Sequence, residues 1–242
     1  MKCIILAAGY ATRLHPVAKY VPKPFLDVGG RPIIDHIVEK VKKLKADEIC
    51  AVTNHRFFPI FAEWGREQNV KVVDDGTMSN EDRLGAIKDL VLGINAVDDD
   101  DILCIGGDNL FEDMLDTVVG EGRTLGKVVI GLYDVKTAEE AKRFGVITSE
   151  GSKIVSFEEK PSQPKTTIIS TLVYYLPKKS ISLVKEFAGQ GKDNAGELIK
   201  YLMQNTDVHG VILKGKWMDI GKLEHLEQAR REFYSGQWKL CE

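Results

Sequence analysis

The stretch KCIILAAGYATRLHPVAKYVPKPF, residues 2–25, joins a short apolar run to a basic loop. The run occupies residues 2–7 and ends before Gly9. Its continuous apolarity predicts a strand that is buried on both faces, as in a parallel sheet covered by helices. The loop carries Arg13, Lys19 and Lys23, and residues 1–26 contain no Asp or Glu. Because loops at the carboxyl ends of strands line the ligand crevice of open α/β sheets, we expect an anion-binding loop here.

The alternation of apolar runs and helix-length segments continues beyond this stretch. It predicts strands at residues 2–7, 48–53, 70–73, 102–106 and 128–132, and helices at 33–44, 57–68, 82–92 and 113–121. Repeated winding of this kind predicts the α/β class, with a doubly wound, mostly parallel, Rossmann-like sheet.

From about residue 145 the pattern becomes β-rich, with runs at 146–148, 153–157 and 166–175. We expect this block to cover one edge of the sheet and to carry the second half of a binding site. The remaining pattern predicts helices at 178–188, 194–204 and 223–233 and a strand at 208–213.

The composition narrows the classes of protein and partner. The 242 residues are 43% apolar and 29% charged, which is typical of globular proteins, and the net charge of −3 gives no reason to expect a nucleic acid polymer as partner. The apolar runs are too short for a secretion signal or a membrane span, so we expect a cytoplasmic protein without a membrane partner. The four cysteines lack metal-ligand spacing and are interpreted as buried thiols. With no repeat or low-complexity linker, we expect one domain over residues 1–242.

Five groups of residues follow one another along the chain. They are Leu6-Ala7-Ala8-Gly9-Tyr10-Ala11-Thr12-Arg13-Leu14 with Pro22-Lys23-Pro24, Gly107-Asp108-Asn109, Arg143-Phe144-Gly145-Val146, Glu158-Glu159-Lys160-Pro161 and Trp217-Met218-Asp219-Ile220-Gly221. In this order they resemble the signature of the sugar-1-phosphate nucleotidyltransferases, such as the glucose-1-phosphate thymidylyl- and uridylyltransferases. The resemblance implies a fold of the nucleotide-diphospho-sugar transferase type, with a nucleotide-binding part at 1–135 and a β-rich sugar-binding and closing part at 136–242.

The implied reaction transfers a nucleotidyl group from an NTP, with dTTP or UTP favoured, to a sugar 1-phosphate, with glucose 1-phosphate favoured. The products are an NDP-sugar and pyrophosphate. A phosphomonoester with a second pKa of ~6 arrives ionised at neutral pH, so the attack needs no general base. The enzyme must position two polyanions and neutralise their charge, which places the catalytic weight on Arg, Lys and a metal ion.

The resemblance also implies roles for individual residues. The residues predicted for nucleotide binding, from the loop composition as well as from the resemblance, are Ala8, Gly9, Arg13, Lys23, Asn80, Arg83 and Gly85. Among these, Arg13 is expected to hold the β and γ phosphates and Lys23 the α phosphate. Asp108 and Asp219 are expected to bind Mg²⁺, and Arg13, Lys23 and Asp108 to carry the catalysis. Lys160 is implied for the sugar phosphate, Glu159 and the backbone of Gly145 for sugar hydroxyls, and Trp217 is a candidate for the sugar pocket.

Two positions depart from the family pattern. Ala11 stands where a second glycine is usual, and Arg83 where a small residue is expected. Arg83 leaves the base open, so cytidylyl or guanylyl transfer to another phosphorylated acceptor is an alternative. Ser79 offers two interpretations: it caps a helix that begins near Asp82, or the segment 77–83 contacts the base or ribose.

A different class of enzyme, the glycosyltransferases that consume an NDP-sugar, is a further alternative. Such enzymes usually carry two aspartates after the fourth strand, whereas this chain offers Asp108 alone. A noncatalytic nucleotide sensor is disfavoured because Arg13, Lys23, Asp108 and Asp219 are all present. The sequence leaves open the base, the sugar phosphate, the pathway and the oligomeric state, a homo-oligomer included.

Overall fold

A computed structural model describes residues 1–14 and 20–238, except for the side chain of Arg13. The predicted roles of the Arg13 side chain and of Lys19, and the predicted burial of Cys241, therefore lie outside the described residues. The strands are β1 (Lys2–Leu6), β2 (Glu48–Thr53), β3 (Lys71–Asp74), β4 (Ile102–Gly106), β5 (Asn109–Phe111), β6 (Val128–Asp134), β7 (Gly145–Glu150), β8 (Lys153–Glu159), β9 (Ile168–Leu176), β10 (Val208–Ile212) and β11 (Trp217–Asp219). The helices are α1 (Ile33–Lys43), α2 (Phe58–Gln68), α3 (Ala86–Val97), α4 (Asp116–Leu125), α5 (Ala138–Ala141), α6 (Ile181–Gly189), α7 (Ala195–Asn205) and α8 (Leu223–Tyr234).

Nine strands form one sheet in the order β3-β2-β1-β4-β9-β6-β10-β8-β7. The first strand is central to its parallel part, because β1 pairs in parallel with both β2 and β4. The carboxyl ends of β1, β2 and β4 therefore meet at one edge, which is where the anion-binding loop was predicted. The expected α/β class is confirmed.

The expectation of a mostly parallel sheet needs a correction, because the sheet is mixed. Strand β9 lies between β4 and β6 and runs antiparallel to both. Its nine residues are mostly buried, as in any central strand. Continuous apolarity predicts burial on both faces, but it carries no information on strand direction, and so the sequence pattern missed this reversal.

The predicted cover over one edge is also wrong in its placement. Strands β7 and β8 form an antiparallel hairpin that continues the same sheet at its far end, where β8 pairs with β10. Strand β7 makes one further pairing with β9, between Val146 and Ile169. The β-rich block is thus part of the main sheet, and the hairpin curls back toward its centre. This curl leaves a hollow between the hairpin and the end of β4.

Two hydrophobic cores lie on opposite faces of the sheet. Alternate residues of β1 contribute to each, with Cys3 and Ile5 on one side and Ile4 on the other. Residues from α1, α2, α4 and α8 fill the first core, and residues from α3, α6 and α7 fill the second. Cys3, Cys50 and Cys104 are free buried thiols, as predicted. Within residues 1–14 and 20–238, no helix is both long and apolar enough to cross a bilayer.

Helix α3 begins later than the sequence predicts, and Ser79 does not cap it. The carboxylate of Asp82 accepts hydrogen bonds from the backbone N–H groups of Met78 and Ser79, at 3.1 and 2.7 Å, and holds this segment in a turn. Short acidic side chains often compete with helix formation in this way. Helix α3 begins at Ala86, and Asp193 caps it from the loop before α7 by accepting from the N–H of Ile87 at 3.3 Å.

Candidate active site

The loop after β1 is fixed by polar side chains from neighbouring strands. The fully buried Asn54, which follows β2, donates from Nδ2 to the carbonyl of Ala8 at 2.9 Å. The hydroxyl groups of Tyr10 and Thr77 lie 2.8 Å apart, and Thr77 also donates to Asp75 at 2.7 Å. These bonds hold the loop at the carboxyl edge of the sheet, where its backbone N–H groups can face an anion.

Ala11 adopts a φ of 49°, in the left-handed region. This region costs an L-residue roughly 1–2 kcal/mol and is open to glycine without that cost. The backbone conformation therefore gives a physical reason for the glycine that is usual at this position. The loop keeps the left-handed turn in spite of the substitution.

Lys23, Asp108 and Asp219 meet at the end of β4. Lys23, which lies between Pro22 and Pro24, is the first residue of a short 3₁₀ turn, Lys23–Phe25. Its Nζ donates to Oδ2 of Asp108. The same Nζ lies 3.6 Å from Oδ1 of Asp219. The two aspartates are brought together by the pairing of β5 with β11 and by the bond from the N–H of Ile220 to the carbonyl of Asp108 at 3.0 Å. The predicted convergence of two carboxylates that lie far apart in sequence is therefore present.

The carboxylates of Asp108 and Asp219 lie beside the ammonium of Lys23, and the charges of the three groups shift one another's pKa values. Burial opposes the ionised form of Asp108, but the ammonium of Lys23 outweighs it and holds the pKa of Asp108 below its ordinary value. Burial and the nearby charge of Asp108 raise the pKa of Asp219 to about 6. The pKa of Lys23 is also raised, because the attraction of both aspartates exceeds the cost of its burial. An additional cation between the carboxylates would relieve their repulsion.

Asp108 and Asp219 fit a Mg²⁺ ion. Magnesium is commonly held by one or two carboxylates together with substrate phosphate oxygens and water. Among the described residues no group of three or more His, Cys, Asp or Glu side chains could hold a metal ion. A metal at this position would therefore need phosphate oxygens to complete its shell, which is the arrangement expected of an ion that arrives with a triphosphate.

A cavity of about 690 Å³ opens beside the two aspartates. It brings together six of the predicted site residues, Asp108, Gly145, Glu159, Lys160, Trp217 and Asp219. Apolar and aromatic groups of Phe144, Phe157, Leu172 and Tyr174 and polar groups of Asn194 and Ser170 complete much of the wall. A mixture of aromatic surface and a few polar groups is typical of pockets for small organic ligands.

Two residues of the wall also have packing roles. A Cβ on Gly145 would overlap the ring of Phe157, so a glycine is required for this approach. Trp217 packs between Tyr133 and Phe144, with ring centroids 5.6 Å from each, and its Nε1 donates to Oδ1 of the buried Asn109 at 2.7 Å. Trp217 is thus mainly a core residue that presents one side to the cavity.

The described residues that are predicted for the nucleotide do not line this cavity. Ala8 and Gly9 belong to the loop after β1, and no described atom would lie within 4 Å of a Cβ on Gly9. Arg83 is exposed and donates to the carbonyl of Asn80 at 3.1 Å. Gly85 has a φ of 92°, and a Cβ there would overlap the carboxylate of Asp193. Their roles in nucleotide binding stay predictions.

Two cavity residues, His225 and Arg143, carry no predicted role from the sequence, although Arg143 belongs to one of the motifs. Both side chains line the cavity. Arg143 donates from Nη2 to Nε2 of His225 at 2.8 Å, and Nδ1 of His225 lies 2.7 Å from the carbonyl oxygen of Asp219. Burial lowers the pKa of His225, and the charge of Arg143 lowers it further, although the bond to Asp219 opposes both. A lone histidine on an amphipathic helix carries no signal of such a contact.

Comparisons with known proteins agree with the motifs. The sequence matches the nucleotidyl transferase family model over residues 2–235. It is 30% identical over 234 residues to the bifunctional protein GlmU of Methanocaldococcus jannaschii. This alignment covers 96% of this chain and 54% of that relative. It is 26% identical over 253 residues to the UTP–glucose-1-phosphate uridylyltransferase of Synechocystis sp., covering 99% of this chain and 65% of the relative. The chain thus spans between half and two thirds of the length of these curated relatives.

Solved structures show the same fold. A chain from Bacillus anthracis described as a glucose-1-phosphate thymidylyltransferase, solved with sucrose, is 28% identical and superposes with a TM-score of 0.84, covering 96% of this chain and 94% of that one. A UDP-glucose pyrophosphorylase solved with UDP-glucose is 19% identical and superposes with a TM-score of 0.81, covering 97% and 98%. Because the family model matches almost the whole chain, the resemblance drawn from the motifs is confirmed, and the chain belongs to the nucleotidyl transferase family.

Proposed function

We propose that this chain transfers a nucleotidyl group from an NTP to a sugar 1-phosphate, giving an NDP-sugar and pyrophosphate. The observation that carries the proposal is the meeting of Lys23 with Asp108 and Asp219, two residues that line a cavity of about 690 Å³. One end of that cavity suits phosphates and a metal ion, and the other suits a polyhydroxylated ring. Nucleotidyl transfer to a sugar phosphate needs both ends together.

The chain's own groups are suited to positioning rather than to proton transfer. The acceptor phosphate is ionised at neutral pH and needs no base to activate it. His225, the histidine that lines the cavity, has both ring nitrogens engaged, with Arg143 and with the carbonyl of Asp219. Lys23 would neutralise charge on the α phosphate, as an ammonium point charge does. Pro22 and Pro24, the neighbours of Lys23, restrict its backbone conformation and so limit the directions that its side chain can take.

Asp108 and Asp219 would hold the Mg²⁺ ion. When bound, the metal would neutralise part of the charge on the triphosphate and so favour in-line attack on the α phosphorus. The Lys23 ammonium, which lies beside both carboxylates, would supply a further positive charge next to the ion. Arg13, from the loop after β1, would hold the β and γ phosphates.

The nucleotide would lie over the loop after β1, with its base toward the segment that contains Asn80, Arg83 and Gly85. The acceptor would occupy the cavity, with its phosphate near Lys160 and its hydroxyls near Glu159, the backbone of Gly145 and Trp217. We favour dTTP or UTP and glucose 1-phosphate, since relatives of this chain bear the names of thymidylyl- and uridylyltransferases. The division into parts 1–135 and 136–242 and the cytoplasmic location stay predictions, and the oligomeric state stays open.

A pyrophosphate-release screen tests the proposal. The enzyme is mixed with Mg²⁺ and each of dTTP, UTP, CTP, GTP and ATP, against a panel of sugar 1-phosphates and phosphocholine. We expect pyrophosphate only when an NTP and one acceptor are both present. Release with CTP or GTP would support the alternative of cytidylyl or guanylyl transfer. Release with a non-sugar phosphate would support the alternative acceptor. The absence of release from every pair, together with consumption of a finished NDP-sugar, would identify a glycosyltransferase instead.

A further inference from the structure

Arg143 is fixed at the cavity wall from two sides. It follows α5, where its Nη1 donates to Oε2 of Glu140 at 2.9 Å, and its Nη2 donates to Nε2 of His225 at 2.8 Å. The guanidinium also lies 5.9 Å from the centroid of the Phe144 ring. A guanidinium has five N–H donors, and these two bonds use two of them. The others can serve an anionic ligand in the cavity.

His225 connects this guanidinium to the metal end of the site. Because Arg143 can only donate, Nε2 of His225 must accept, and its proton is therefore on Nδ1. Nδ1 then donates to the carbonyl oxygen of Asp219 at 2.7 Å. A single imidazole ring thus separates Arg143 from the backbone of a proposed metal ligand.

This placement matches the position that the reaction requires for the acceptor's phosphate. The attacking oxygen must come to ~3–3.5 Å from the α phosphorus, which lies at the Asp108 and Asp219 end. The proposed function places the rest of the acceptor in the cavity that Glu159 lines. The acceptor phosphate therefore lies between these two ends, beside His225 and Arg143.

We propose that Arg143 binds the phosphate of the acceptor through its remaining N–H groups, and that His225 is a positioning residue that holds Arg143 in register with Asp219. The inference rests on the proposed function and adds Arg143 and His225 to the residues that hold the acceptor phosphate. Planar, forked donation suits a phosphate group better than a single ammonium does. Lys160 also lines the cavity, but its side chain is 62% exposed and pairs with Glu159 at 3.4 Å. Arg143 is the more rigidly held cation.

The test compares Michaelis constants for the two substrates. Arg143→Ala is expected to raise the KM for the sugar 1-phosphate that performs best in the pyrophosphate screen by about 10- to 100-fold, the effect expected of losing a charged hydrogen bond. The KM for the NTP should stay within about twofold. Lys142→Ala is the matched control, because it removes the same charge one position away, where Lys142 pairs with Glu139 at 2.7 Å. It should leave both constants unchanged.

Two substitutions separate the positioning role of His225 from a purely structural one. Gln at this position places its amide oxygen near Nε2 and can still accept from Arg143, whereas Asn reaches only the carbonyl of Asp219. We expect His225→Gln to keep the acceptor KM within about threefold of wild type and His225→Asn to raise it about tenfold, with equal thermal unfolding midpoints. Equal acceptor KM values for the two variants would contradict the positioning role.

The possible failures are distinguishable. A wild-type enzyme that releases no pyrophosphate from any pair would overturn the proposed function and, with it, the roles of Arg143 and His225. A wild-type enzyme that turns over normally, while Arg143→Ala keeps the acceptor KM or raises the NTP KM instead, would overturn the role of Arg143 alone.

Discussion

The ammonium of Lys23 bonds the carboxylate of Asp108 although 85 positions separate the two residues in the chain. Asp219 lies within 3.6 Å of the same ammonium. The proposed metal site is thus bridged by a lysine. The Lys23 ammonium offsets the repulsion between the carboxylates of Asp108 and Asp219, and a Mg²⁺ ion bound between them would offset it as well.

Replacing Lys23 should destabilise the fold in a way that Mg²⁺ can repair. Lys23→Met leaves Asp108 and Asp219 facing each other without a counter-charge, and we expect a loss of about 1–3 kcal/mol in the free energy of unfolding. Because a divalent ion would relieve the same repulsion, millimolar Mg²⁺ should raise the thermal midpoint of the variant more than that of wild type. Differential scanning fluorimetry with and without Mg²⁺ measures this. Equal Mg²⁺ shifts in the two proteins would argue against a shared carboxylate site.

Gly85 should tolerate no side chain, for a reason that its neighbour Asp193 supplies. The backbone there has a φ of 92°, and a Cβ would overlap the Asp193 carboxylate that caps α3. Gly76 is the matched control, since its φ is 77° but a Cβ there would have no atom of residues 1–14 or 20–238 within 4 Å. We expect Gly85→Ala to cost about 1–3 kcal/mol more than Gly76→Ala in urea unfolding, because it adds steric overlap to a similar backbone strain. Equal costs would show that Asp193 moves aside freely.

Asp89 should make the stability of the protein depend on pH. It is buried in α3, its Oδ1 has no hydrogen-bond partner among the described residues, and burial raises its pKa to about 8, with Asp75 and Asp193 adding to the shift. The unfolded chain loses this proton near pH 4, whereas the folded chain keeps it until about pH 8. The wild-type protein therefore loses stability as the pH rises through this window, by at most about 1.4 kcal/mol per pH unit.

Asp89→Asn should remove this dependence, because the amide is neutral in both states. We expect the free energy of unfolding of the variant to exceed that of wild type by an amount that grows from pH 5 to pH 8. Urea denaturation at unit pH intervals gives both curves. Parallel curves over that window would show that Asp89 ionises in the folded protein as it does in the unfolded chain.

Arg83 should influence the choice of base if the segment 77–83 contacts it. The side chain is exposed and reaches back to the carbonyl of Asn80, so it is available to a ligand that lies over this turn. Arg83→Ala is expected to change the ratio of kcat/KM values among the five NTPs, while Arg66→Ala, on the exposed side of α2, should leave the ratio unchanged. An identical ratio in both variants would remove Arg83 from base recognition.

Much of the site was predictable because its residues follow strands. Asp108 comes directly after β4 and the basic loop directly after β1, and parallel neighbours bring such positions to one edge of a sheet. The resemblance to the family added Asp219, Glu159 and Gly145 to the predicted site, although they lie far from Asp108 in the sequence. For these residues the pairing of distant strands, rather than any local signal, creates the site.

The features that the sequence did not reveal depend on long-range contacts. The direction of β9 follows from its partners β4 and β6, since its apolar pattern is compatible with either direction. The start of α3 is set by the Asp82 turn and by Asp193, which lies more than a hundred positions away. The place of His225 depends on Arg143 and Asp219, and no spacing in the chain indicates that contact.

The most direct test of the central claim measures Mg²⁺-dependent pyrophosphate release by wild type, Asp108→Asn and Asp219→Asn, with circular dichroism as the control for folding. Since both carboxylates are proposed to hold one ion, we predict that each variant alone lowers kcat/KM by at least about 100-fold, the effect of losing about 2.7 kcal/mol of transition-state stabilisation. A folded variant of either kind that keeps the wild-type rate would contradict the shared ion and the reaction built on it.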